Sequence, residues 1–314
     1  MTNSDFEKIV DTSDEWITTR TGIKLRHVAS RDQACSDLCT IAARRAMEMA
    51  GVEAEDLNAI VVGTVSGDMR FPSTAVFVQE QLGAKNAVAY DVSAACSGFI
   101  FGLHTGHGLV VSGQAKKVLV VGAEVMSKII NYKDRSTCVL FGDGAGAVII
   151  EGCPGDEGIQ ATYMKSDGGL ADLLCIPGGG SRSPFTTTTF EEGTHYLTMK
   201  GDGVFKWAVR AMEGAARTVV ESAGMTLDDV AAFIPHQANI RIIDAVVDRL
   251  GMEKEKVSIN LPERGNTSSA TIPTAYDEWV RSGRIKKGDV VVFAGFGGGF
   301  TWGATLLKHG DLAI

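Results

Sequence analysis

Cys96 lies in Asp91-Val-Ser-Ala-Ala-Cys-Ser-Gly-Phe99, where an apolar strand-like run gives way to small residues and then to a long apolar segment. A thiol becomes a nucleophile when it ionises, and a helix N-terminus favours the thiolate through its unpaired N–H groups and dipole. The run from Ser97 to Val111 carries Phe99, Ile100, Phe101, Leu103, Leu109, Val110 and Val111 with almost no charge. That pattern predicts a helix buried nearly all round, with Cys96 at its head. A structural core cysteine is the other reading of the same context. Two further residues complete a candidate site. His236 follows the apolar run 231–234 and Pro235, at a strand end of the kind that borders ligand crevices in layered α/β proteins. Asn266 stands in Gly265-Asn-Thr-Ser-Ser-Ala-Thr-Ile-Pro273, a loop composition that feeds a second helix. Singly, such a His is structural and such an Asn a turn or cap residue; with Cys96 they make a Cys/His/Asn site for covalent catalysis.

The elements that must position these groups read as a duplication. Ala50-Gly-Val-Glu-Ala-Glu-Asp-Leu-Asn-Ala-Ile-Val-Val-Gly63 aligns without a gap on Ala223-Gly-Met-Thr-Leu-Asp-Asp-Val-Ala-Ala-Phe-Ile-Pro-His236. Val111 to Gly122 resembles Arg281 to Ala294, and Gly146-Ala-Val-Ile-Ile-Glu151 resembles Gly303-Ala-Thr-Leu-Leu-Lys308, in the same order. Each half alternates helices with β-branched runs, which predicts α/β architecture with mixed sheets covered by helices. Residues 1–155 form the first expected half and 156–314 the second. Counting back from Ser112 and Ser282 gives Cys96 and Asn266 the same offset, so both are expected to face one central crevice.

Composition narrows the function. The chain has 314 residues, 45% hydrophobic and 22% charged, with a net charge of −8 and no basic tract, which argues against a nucleic-acid partner. No apolar run reaches membrane-spanning length and the N-terminus lacks the apolar stretch of a signal peptide, so a cytoplasmic protein is expected. The six cysteines are scattered, without zinc-site spacing or a disulfide framework. Gly142-Asp-Gly-Ala-Gly146 resembles a dinucleotide loop, but a strand rather than a helix is expected after it, which excludes NAD.

Six segments together resemble the β-ketoacyl-acyl carrier protein synthase III family, condensing enzymes of the thiolase fold. They are Asp11 to Gly22, Ala94-Ala-Cys-Ser-Gly-Phe99, Phe141 to Ala147, Pro235-His-Gln-Ala-Asn239, Gly265-Asn-Thr-Ser268 and Gly297-Gly-Gly-Phe-Thr-Trp-Gly303. The resemblance spans essentially the whole chain and implies a thiolase-like, duplicated five-layer αβαβα fold. It implies that Cys96 takes an acyl group from acyl-CoA and that malonyl-acyl carrier protein then decarboxylates and attacks it. His236 and Asn266 would donate hydrogen bonds to the enolate oxygen, and nothing else ionisable is required. The backbone N–H groups of Cys96 and Gly298 would form the oxyanion hole for acyl transfer. Acyl-CoA is a substrate, and no cofactor or metal is implied.

By motif position, Trp16 and Arg135 would sandwich the adenine of coenzyme A, with Thr12 and Arg20 nearby, and Asn239 and Gly201 would meet the pantetheine arm. Phe71 and Leu140 would line the acyl pocket, Phe71 across a homodimer interface; ordinary packing is the plainer reading of both. Arg241, Lys206 and Arg249, extended by Arg210, would dock the acidic carrier protein, on a face that Asp244 and Asp248 weaken. The tract 178–189 reads as a loop of turn formers beside the tunnel entrance. A related thioester acyltransferase or specialised ketosynthase using the same cysteine is an alternative, as is an inactive truncated homologue. The family begins with a strand ahead of the segment that here is Thr2-Asn-Ser-Asp. The duplication agrees: a second-half strand over 158–164 has a first-half counterpart that would fall before Met1.

Overall fold

The β-branched runs become strands, which sort into two four-stranded sheets, beside a small two-stranded one that pairs Leu174–Cys175 with Thr198–Met199. In the computed structural model, which describes residues 1–310, β1 (Ala59–Gly63), β2 (Val88–Val92), β3 (Lys117–Val125) and β4 (Asp143–Glu151) form one sheet in the order β2–β1–β3–β4. The first three run parallel and β4 is antiparallel to β3. The second sheet joins β5 (Gly158–Ser166), β6 (Val230–Pro235), β7 (Val290–Gly297) and β8 (Thr301–Lys308) in the order β5–β8–β7–β6. Here β6 and β7 are parallel, and β8 is antiparallel to both neighbours.

Helices α1 (Asp14–Thr21), α2 (Cys35–Ala50), α3 (Gly98–Val111), α4 (Gly201–Ser222), α5 (Ile240–Leu250) and α6 (Thr271–Arg281) provide the layers and the site's rim. The middle layer is α3 and α6. Phe99, Ile100 and Leu103 of α3 and Ile272, Ala275 and Trp279 of α6 pack with Val61 and Val120 of one sheet and with Ile234 and Phe293 of the other. On the outer faces, α2 covers Ile60, Val62, Leu119 and Val121, while α4 and α5 cover Phe233, Val292 and Leu306. The expected αβαβα stack is what forms, because consecutive strand residues point into alternate layers and both layers are apolar. The repeats fold alike: α2 and α4 each end at a left-handed glycine, Gly51 (φ 61°) or Gly224 (φ 70°), before a short acidic turn and a strand.

The halves differ at one edge. In the second sheet β5 covers the outer edge of β8, from Gly158 opposite Lys308 to Ser166 opposite Thr301. At the corresponding edge of β4, no strand pairs among the described residues. The Asp143 N–H reaches the His27 carbonyl at 2.8 Å, and the rest of the edge borders a groove of about 790 Å3. Its walls include Ile41 and Arg45 of α2 and Pro273 and Tyr276 of α6. No helix among the described residues is long and apolar enough to cross a membrane. Nor does any cluster of His, Cys, Asp or Glu among them offer a metal site.

Candidate active site

Two single turns deliver the site, Ala95–Ser97 ahead of α3 and Ser268–Ala270 ahead of α6. Each opens on a non-glycine residue in the left-handed region, Ala95 (φ 47°) and Ser268 (φ 49°), a strain that tends to mark functional turns. The turns are structural counterparts. Gly122 of β3 lies so close to the Ser269 carbonyl that a Cβ there would strike it, and Gly295 of β7 faces the Cys96 carbonyl, where a Cβ would make ordinary contact at 3.7 Å. This corrects the offset count: the fold pairs Cys96 with Ser269, not with Asn266, because α3 has 14 residues and α6 has 11. Asn266 lies three residues earlier, on the approach to its turn.

Cys96 is 6% exposed and lies in the turn that leads into α3. Burial pushes its thiol up to about 12; the Ser268 hydroxyl and its own N–H pull down, and the charge of Glu124 pushes further up. Desolvation and the Glu124 charge outweigh these two hydrogen bonds, which favours the thiol at rest. The α3 helix itself is buried along Phe99, Ile100 and Leu103 but reaches solvent at Val111.

His236 ends β6, buried, with its N–H donating to the Ala294 carbonyl (2.8 Å) and Nδ1 2.6 Å from the Thr271 hydroxyl. Burial lowers its pKa to about 3, so the ring is neutral at ordinary pH. Asn266 is held by its backbone between Leu140 and Gly142, donating to the first carbonyl (2.9 Å) and accepting from the second N–H (3.0 Å). Its Oδ1 accepts from the Ser268 N–H at 2.9 Å, which leaves the amide NH2 as a donor. Thr271 also contacts the Ser268 carbonyl at 3.0 Å. Cys96, His236 and Asn266 are thus tied together through Ser268 and Thr271. Gly297 abuts the site as well: a Cβ there would lie 2.6 Å from the Cys96 nitrogen, and Gly298 follows beside Ala95.

Reading the sequence missed Glu124, Ser268 and Thr271. Glu124 had one signal, an acid in the apolar run Val118 to Val125; it is fully buried, and burial raises its carboxyl to about 7.

The outer candidates lie on exposed rims. The guanidinium groups of Arg20 (5.0 Å) and Arg135 (4.8 Å) both lie over the Trp16 ring of α1, and Arg135 donates to the Asp11 carbonyl at 2.7 Å. The Thr12 hydroxyl is buried without a partner. Asn239 caps α5, accepting from the Arg241 N–H (2.9 Å) and donating to the Arg20 carbonyl (3.0 Å). Gly201 opens α4 on the surface. Leu140 is half-buried beside Asn266, whereas Phe71 is 85% exposed. Arg241, Lys206, Arg210 and Arg249 are all exposed, with Arg241 over the Phe205 ring at 6.0 Å. The 178–189 tract is not all loop: Thr186 caps a short helix, Thr187–Glu191, and Arg70 lies over the Phe185 ring at 4.7 Å.

Two helix-covered mixed sheets around a shared pair of buried helices are the architecture of the thiolase fold. Residues 90–168 match the family described as 3-Oxoacyl-[acyl-carrier-protein (ACP)] synthase III, and residues 220–309 match its C-terminal part. The chain belongs to that 3-oxoacyl-[acyl-carrier-protein] synthase III family. It is 51% identical to the beta-ketoacyl-[acyl-carrier-protein] synthase III of Caldanaerobacter subterraneus subsp. tengcongensis, over 98% of this chain and 93% of the relative. The crystal structure of 3-oxoacyl-[acyl-carrier-protein] synthase III from Aquifex aeolicus VF5 superposes with a TM-score of 0.92 at 47% identity, covering 98% of this chain and 95% of the other. The priming β-ketosynthase of the R1128 polyketide pathway also superposes at 0.92, with 38% identity over 99% of this chain and 92% of that one.

Proposed function

We propose that Cys96 is the acyl carrier of a two-step initiating condensation. The thiol takes an acyl group from acyl-CoA, and malonyl-acyl carrier protein then loses CO2 and attacks the acyl-enzyme to give a 3-oxoacyl-acyl carrier protein. The observation that carries this reading is the pair of buried turns, where Ser268 and Thr271 link Cys96, Asn266 and His236. The single Thr271 hydroxyl proton lies within reach of both the Ser268 carbonyl and Nδ1; on this reading it points to Nδ1, which leaves the remaining proton of neutral His236 on Nε2. That N–H and the Asn266 NH2 then meet the oxygen whose charge develops as CO2 leaves. The Cys96 and Gly298 N–H groups serve the earlier acyl-transfer step. Acyl-CoA is consumed, so the reaction calls for no cofactor.

The same reading assigns Trp16, Arg135, Thr12, Arg20, Asn239 and Gly201 to coenzyme A. An adenine would enter between the indole and the Arg135 guanidinium that now stack on each other. Arg241, Lys206 and Arg249 would meet the acidic carrier protein. Exposed Phe71 would be covered by a second copy and would shape the acyl pocket with Leu140. Six free cysteines suit a cytoplasmic protein.

Partial reactions test the division of roles. Cys96→Ala is expected to give no acyl adduct by intact-protein mass spectrometry after exposure to acyl-CoAs. His236→Ala and Asn266→Ala should load, yet lose about 100-fold or more in decarboxylative condensation. Equal loss of loading in all three variants would overturn this assignment.

A further inference from the structure

Condensation as written leaves Glu124 without a task. The residue stands at the end of β3, fully buried, and its recorded partners are all neutral donors. One carboxylate oxygen accepts from the Thr64 hydroxyl (3.1 Å), from the Val65 and Ser66 N–H groups (3.1 and 3.0 Å) and from the Ser66 hydroxyl. The other accepts from the Ser268 hydroxyl at 3.0 Å. The Ser268 hydroxyl is also the neighbouring side chain that lowers the Cys96 pKa, which places it beside the thiol. A hydroxyl has one proton to give and lone pairs to spare, so Ser268 can donate to Glu124 while accepting from the thiol.

We propose that Glu124 is a positioning residue that receives the Cys96 proton through Ser268 during acyl loading. As Sγ attacks the thioester carbonyl, its proton passes to Ser268 Oγ and the Ser268 proton passes to Glu124 Oε1. The bond from Sγ to the acyl carbon forms and the bond to the coenzyme A sulfur breaks. The departing thiolate is then neutralised as Glu124 returns its proton by the same path, so the carboxylate ends as it began. This step rests on the reading of Cys96 as the acyl carrier.

The energetics of the neighbours favour this route. A thiol held near 12 must hand its proton to something as it reacts, and His236, near 3, is a poor acceptor. Glu124, held near 7 by burial, is matched to the task. The titratable groups around it are Cys96, Cys35 of α2 with its sulfur 3.6 Å from the Thr64 hydroxyl, and Asp143 of β4, which pairs with Val125. The Asp143 carboxylate is occupied by the Ala29 and Ser127 N–H groups and the Ser127 hydroxyl.

A bystander role and a relay predict opposite results. The charge of Glu124 raises the Cys96 pKa, so if it were only a neighbour, Glu124→Gln would ease ionisation and speed loading. The experiment is rapid-quench loading of acyl-CoA followed by mass spectrometry, from about pH 5.5 to 8.5, the range that brackets a general base near 7. Under the relay, wild-type loading rises tenfold per pH unit and levels off above about pH 7. Glu124→Gln and Ser268→Ala lose about 100-fold at about pH 7 and lose the plateau, rising through about pH 8.5 as thiolate forms directly from a thiol near 12, while Glu124→Asp restores part of the rate and a plateau. Loading by Glu124→Gln at or above the wild-type rate, with the limb retained, overturns the proposal. Should Glu124→Gln fail to fold, a slowed profile that rises without a plateau in Ser268→Ala supports the relay and an unchanged one refutes it. A wild-type protein that loads no acyl-CoA instead overturns the reading of Cys96, and the relay falls with it.

Discussion

Burial keeps the Cys96 thiol protonated and the His236 ring unprotonated, so neither group is charged at rest. For His236 this links to stability. Its folded pKa near 3 lies below the ordinary 6.5, so an unfolded chain binds a proton that the folded one refuses. The stabilisation is complete above about pH 6.5 and is lost as the pH falls toward 3. Glu124 acts with the opposite sign. Its raised pKa gives stability that is present below about 4.5 and lost as pH rises through about 7. Only a difference isolates the histidine: the gap in urea unfolding free energy between wild type and His236→Gln should shrink by about 3 kcal/mol from pH 7 to pH 4. A constant gap would mean that the ring already exchanges protons in the fold. Cys96, His236 and Asn266 were legible as residue types in their local runs. Glu124 and Ser268 were not, because their pairing spans 144 positions and exists only once the halves close.

At the level of elements, glycine spacing decides how near the chain can bring the nucleophile to its neighbours. Gly297 leaves no room for a Cβ against the Cys96 nitrogen, so Gly297→Ala must displace the turn Ala95–Ser97 or the end of β7. A cost of about 1–3 kcal/mol is expected from such overpacking. Acyl loading should fall more than tenfold while circular dichroism stays native-like, and wild-type loading in this variant would show that the turn tolerates the shift. Strands were readable because β-branched runs lie between acidic turns and helix-ending glycines. The registration of the two turns was not, since three extra residues in α3 move the count while the Ser-Gly signal after each helix stays the same. The helix Thr187–Glu191 was also hidden, as a threonine-rich tract has the composition of a turn and its helix rests on a Thr186 cap.

Across the whole molecule the duplication was visible in the sequence. The β8 amides are enclosed by β5 and β7, whereas β4 bonds on one side to β3 and meets the groove on the other. Hydrogen exchange should therefore be faster over 144–150 than over 302–307, measured by mass spectrometry of native protein. Equal protection would mean that the groove is closed in solution. The open edge begins two residues past Gly142, whose N–H clasps the Asn266 carbonyl. Fraying that starts there reaches the decarboxylation machinery before it reaches the thiol. On heating, the protein should thus pass through an interval in which it still accepts acyl groups but no longer extends them, at temperatures below its global melting transition.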